Sequence, residues 1–137
     1  MISTKGRYAL RVMVDLAEQN TDSYTPLGEI AARQEISEKY LEIILKTLVK
    51  EKLLKGLRGK GGGYKLTRSP SEYTVWEILT LTEGTLATVA CLAQDAEDCA
   101  RSPKCRTLPM WREFDKMVYE YFSHITLEEL AQGFAAL

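Results

Sequence analysis

The chain has 137 residues, 45% of them hydrophobic and 27% charged. That suffices for one domain with its own core, or for a small domain plus an oligomerisation appendage. No apolar run approaches the roughly 18 residues of a membrane span. The N-terminal MISTKGRYAL carries a cation but no apolar signal-peptide stretch, so the expected location is the cytoplasm, with no membrane partner.

The net charge of −1 gives no hint of a polyanionic partner, yet it averages two unlike halves. Residues 1–70 hold 13 Lys and Arg against 8 Asp and Glu, giving +5. Residues 71–137 hold 5 against 11, giving −6. The densest basic segment, 46–68, has eight cations and one acid, Glu51. A basic contact surface has this pattern, and so does a solvated face that binds nothing.

In chain order, the first periodic segment is 7–19. Ala9, Val12, Met13, Leu16 and Ala17 form one helical face, with Leu10 and Val14 on another side that calls for a second element or subunit. In TPLGEIAARQEI, Thr25 suits a helix cap and Pro26 the first helical position. Ile36 fits a buried turn, and Ser37 caps the next helix, where Leu41, Ile44, Leu45, Leu48 and Val49 share a face. Two helices joined by a tight turn make a helix-turn-helix. KLLKGL and GYKLT flank RGKGG like the strands of a hairpin. Residues 25–67 therefore predict a winged helix.

After the wing, Thr74 and Glu77 have capping-box spacing, and Gly84 suits a helix stop. Residues 85–106 are polar and without period. LPMWREFDKMVYEYFSHI then predicts a long amphipathic helix, and Thr126 with Glu129 opens a last short one. The expected fold is mainly α: a winged helix-turn-helix over 1–84, then a cysteine-bearing loop and dimerisation helices over 85–137.

The glycines of LRGKGGGYKL could suggest a phosphate loop. Such a loop needs Lys and Ser or Thr after its last glycine, between a strand and a helix. Here Gly62 stands where that Lys would be, and YKLT reads as strand. In a wing, Arg58 or Lys60 can enter a minor groove. The N-terminal part of the second helix would enter the major groove, offering Ser37, Lys39, Tyr40 and Glu42. Lys5, Arg7, Arg33 and Lys46 suit phosphates. The expected partner is double-stranded DNA.

Cys91, Cys99 and Cys105 have the spacing C-x7-C-x5-C. An odd count in a cytosolic chain argues against a disulfide framework. Zinc, an iron–sulfur cluster, redox thiols and incidental cysteines all remain open. His124 is expected to pack or cap a helix, and Trp76 and Trp111 to fill core or dimer contacts. No nucleophile, base and orienting group occur together, so no enzyme is expected.

STKGRYAL, ISEKYLEIIL, RGKGGGYKL, the three-cysteine segment, MW and ITLEEL occur in one order. Together they resemble the bacterial winged-helix regulators that include IscR, NsrR and CymR. The resemblance implies a homodimer crossed by the long helix, about Leu108–Ser123, on a palindromic operator. It implies base contacts by Tyr40 and Glu42 and a minor-groove contact by Arg58. It further implies that Cys91, Cys99 and Cys105 ligate an iron–sulfur cluster, [2Fe-2S] in the IscR branch. Leu108 stands where that branch has a histidine, and Arg7 near where nitric-oxide sensors have an acid. Asp95, Glu97, Asp98, water or a small thiol are candidates for the fourth ligand. The function expected is a DNA-binding repressor sensing iron–sulfur or redox status. The alternatives are a cluster-free repressor controlled by thiols or a partner, and an interaction module that does not touch DNA.

Overall fold

The computed structural model describes residues 2–19, 22–94, 96–97 and 99–135. The apolar period of the first segment becomes α1, Thr4–Gln19, whose Ala9, Val12, Met13 and Leu16 are buried. The helix begins before Arg7, where the apolar period starts, because Ser3 closes its first turn. Ser3 O accepts from Arg7 N at 3.1 Å and Ser3 Oγ from Gly6 N at 3.3 Å.

Helix α2 spans Leu27–Gln34 and α3 spans Glu38–Lys50. Between them Glu35 adopts a left-handed conformation and Ile36 is buried, which makes the turn tight. Ser37 caps α3 as expected, accepting from Tyr40 N at 3.2 Å. Thr25 does not cap α2. Pro26 occupies the cap position, and buried Thr25 exchanges two 2.9 Å backbone bonds with Tyr64. An extended backbone next to proline is favoured sterically, and the adjacent strand offers it partners.

That strand belongs to the wing: β1, Leu54–Leu57, pairs antiparallel with β2, Gly63–Leu66, in the register Leu54↔Leu66 and Gly56↔Tyr64. Gly63 has φ +145°, and a Cβ there would lie 2.1 Å from Thr25 O. Only glycine lets the third extended segment approach this closely.

Helix α4, Val75–Glu83, is capped by Thr74 Oγ1, which accepts from Glu77 N at 3.1 Å. The capping box is half made, because the Glu77 carboxylate binds Arg68 at 2.6 and 3.1 Å. Val75 and Leu79 pack with Leu86, Ile125 and Leu10, so α4 covers part of the second stripe of α1. A single 3-10 turn, Ala90–Leu92, interrupts the irregular loop before α5, Leu108–Ser123. His124 ends α5, its Nδ1 2.5 Å from Glu120 O. Helix α6, Leu127–Ala131, is capped by Thr126 and returns fully buried Leu127 to the core beneath α1. The result is a mainly helical winged helix with a two-stranded antiparallel sheet.

One hydroxyl ties the wing to this body. Fully buried Tyr73 Oη donates to Leu53 O at 2.8 Å and accepts from Thr67 N at 2.8 Å and Arg68 N at 3.1 Å. Tyr73→Phe leaves a carbonyl and two amides without that partner, and should cost about 1–3 kcal/mol. The check is the urea midpoint, with an unchanged m-value marking a loss of stability alone.

Candidate DNA-binding face and cysteine pocket

Helix α3 divides its residues cleanly. Leu41, Ile44, Leu45 and Leu48 are fully buried, each worth about 1.5–3 kcal/mol relative to exposure. Lys39, Glu42, Ile43, Lys46 and Lys50 are left facing solvent. Lys39, Lys46 and Lys50 fall on one stripe of the helix, since steps of seven and four residues return to the same side. Ser37 serves as the cap, at the end that would approach a groove. Tyr40 is half-buried, its ring edge-on to Tyr8 with centroids 5.9 Å apart. Its ring therefore braces α3 against α1.

The wing places Arg58 and Lys60 exposed at its tip, with Gly59 and Gly61 at positive φ. Among the described residues, no carboxylate lies within ion-pair distance of Lys39, Lys46, Arg58 or Lys60. On α1, Arg7 is exposed and Lys5 half-buried. Two cations are committed elsewhere. Arg33 grips Asp15, only 3% exposed, with Nη2 2.8 Å and Nε 3.0 Å from its oxygens. The hydrogen bonds from Arg33 to Asp15 hold that guanidinium above its ordinary pKa. Arg33 thus clamps α2 on α1, and its charge is already matched. Arg68 is raised likewise by Glu77, at the base of the wing.

Cys91, Cys99 and Cys105 line one pocket of about 70 Å³, together with Leu92, Ser102, Leu108 and Arg112. All three thiols are free, and Cys105 is the least exposed. Its Sγ is 3.4 Å from Thr107 Oγ1, and the Thr107 hydroxyl, then the Thr107 amide, hold its pKa below the ordinary thiol value. Among the described residues, no three His, Cys, Asp or Glu side chains are grouped closely enough for a single metal ion. Asp95 and Asp98, expected as possible fourth ligands, lie outside the described residues. Glu97 is exposed and does not line the pocket, whereas Leu108 lines it with no donor atom.

Two contacts fasten the cysteine loop. Thr88 N donates to Asp115 Oδ1 at 2.9 Å, and the Thr88 hydroxyl binds the same oxygen. Trp76 meets Tyr119 edge to face at 4.9 Å, joining α4 to α5. The outer side of α5 is not covered by any other described residue: Met110, Phe114 and Tyr121 are exposed, and Met117 is 58% exposed. Sequence periodicity located that apolar face. It gave no signal for the Arg33–Asp15 clamp, the Tyr73 hub or the Asp115 anchor, because each joins residues distant in the chain.

A helix-turn-helix with a lysine stripe, followed by a hairpin tipped with free cations, defines a winged-helix transcriptional regulator. The chain belongs to the Rrf2 family: the family profile, described as iron-dependent transcriptional regulator, matches residues 2–133. It is 34% identical over 132 residues to the HTH-type transcriptional regulator IscR of Pectobacterium carotovorum, covering 96% of this chain and 79% of that one. The IscR of Sodalis glossinidius is 36% identical over the same coverage. Among solved structures, CymR of B. subtilis, described as the global cysteine regulator, superposes with a TM-score of 0.77 at 36% identity, over 96% of each chain. T. potens IscR gives 0.73 at 32% identity, over 100% of this chain and 93% of that one. These relatives are transcriptional regulators, not enzymes, and DNA binding follows for the family. No described helix is long and apolar enough to cross a membrane.

Proposed function

We propose that this chain is a homodimeric repressor that reads a palindromic operator with two α3 helices and two wings. The observation that carries this is the basic surface formed by Lys39, Lys46 and Lys50 on α3 and Arg58 and Lys60 on the wing, none of which has a carboxylate partner among the described residues. Glu42 and Lys39 face the bases, and Arg58 enters the minor groove. Lys5, Arg7 and Lys46 neutralise phosphates. The exposed apolar side of α5 would cover its copy on the partner, a self-complementary contact of the kind twofold dimers use.

Cys91, Cys99 and Cys105 would hold an iron–sulfur cluster of the [2Fe-2S] kind. Their convergence on one pocket supports this, and two irons sharing four ligands do not require three thiols to meet at a point. When bound, the cluster supplies a labile one-electron centre. The protein carries its state outward through Thr88–Asp115 and Trp76–Tyr119 to α5 and α4, and through Arg68–Glu77 to the wing. Such coupling can change operator affinity only by its differential stability in two arrangements, typically about 1–3 kcal/mol. The convergence of three free thiols on one pocket and the lowered pKa of Cys105 favour, as a second reading, a cluster-free repressor controlled by its thiols.

Three measurements test these statements. In gel shifts against promoter DNA, affinity should fall with a log–log salt slope of about −0.9 per neutralised phosphate. Arg58→Ala should weaken binding by about 1–3 kcal/mol; unchanged affinity means that the wing does not contact DNA. Protein purified anaerobically should be brown and contain iron and sulfide, with iron lost in Cys105→Ser; a colourless sample rejects the cluster and leaves the thiol reading. Replacing Phe114 and Met117 together by Glu should convert a dimer to a monomer in sedimentation, since burying two carboxylates in an apolar contact is costly.

A further inference from the structure

Helix α3 carries one outward side chain that neither the core nor the charge of its face explains. Ile43 is 52% exposed. It follows Lys39 by four residues and precedes Lys46 by three and Lys50 by seven, so it stands within the lysine stripe. A single exposed isoleucine on ordinary surface needs no explanation. Here it sits midway along the second helix of a helix-turn-helix, the element that lies in the major groove.

The surface that meets this stripe must therefore be anionic along its margins and apolar at one point. Duplex DNA offers that combination in fixed geometry. Phosphates flank the groove, and the one apolar group on its floor is the C5-methyl of thymine. A protein surface would have to set an apolar contact within a ring of carboxylates.

We propose that Ile43 is a base-reading residue that packs on a thymine C5-methyl in each operator half-site. This rests on the DNA-binding function above and adds a specificity that the charged residues of α3 cannot supply. Glu42 and Lys39 discriminate by hydrogen bonds, whereas Ile43 discriminates by apolar contact alone.

Deoxyuridine removes only that methyl group. Wild-type protein first selects a duplex from a random double-stranded pool, and each thymine of that duplex is then replaced singly. One position per half-site should weaken wild-type binding about fourfold, the worth of one buried methyl, and both together about fifteenfold. Ile43→Ala should be indifferent to the same replacements and keep the wild-type melting curve, because the side chain is not part of the core. The assignment is overturned if uracil weakens wild type and Ile43→Ala equally, if it weakens neither, or if the selected site lacks thymine. Failure of wild type to select any sequence overturns the DNA-binding function, and this assignment with it.

Discussion

The Tyr73 hydroxyl is the point on which the wing depends. The hairpin has only two strands, four residues each, and such a ribbon is marginal alone. Tyr73 holds both of its ends at once, by the carbonyl of Leu53 before β1 and the amides of Thr67 and Arg68 after β2. Thr25 adds a third extended segment through Tyr64. Because Tyr73 leads directly into α4, and Leu127 N donates to its carbonyl at 3.0 Å, the wing is joined to the C-terminal helices as well as to α3. The orientation of Arg58 and Lys60 relative to α3 is inherited from these bonds.

The cations divide into two populations that composition treats alike. Arg33 and Arg68 are arginines with bidentate carboxylate partners, and they set helix and wing positions. The planar guanidinium suits that task, since its forked donors match two carboxylate oxygens. The exposed surface of α3 uses lysines, which among the described residues have no carboxylate within ion-pair distance. Part of the apparent basicity around α2 and the base of the wing is thus structural. The exposed cations without a carboxylate partner are therefore fewer than the charge count alone suggests.

The cysteine loop has little regular structure, and its position depends on anchors at its edges. Asp115 fixes its start to α5, and Leu108 and Arg112, one turn apart on α5, form a wall of the thiol pocket. The thiol pocket is thus built directly against α5, the helix that also carries the exposed apolar residues Met110, Phe114, Met117 and Tyr121.

The sequence by itself determined the helix-turn-helix, the wing, the long helix Leu108–Ser123 and the caps at Ser37, Thr74 and Thr126. These follow from apolar period, glycine conformation and hydrogen bonds three residues apart, all of which are local. It also determined that three thiols occur close together in the chain. Tertiary structure alone decided that Thr25 joins the wing, that Glu77 turns to Arg68 and leaves the capping box half made, and that Arg33 answers a buried Asp15. It alone decided that Ile43 remains in solvent and that the three thiols share one pocket. Thr25 and Tyr64, and Asp15 and Arg33, lie far apart in the chain and meet only by folding, whereas Arg68 and Glu77 and the three thiols are near in sequence and are turned toward one another by the path of the chain between them.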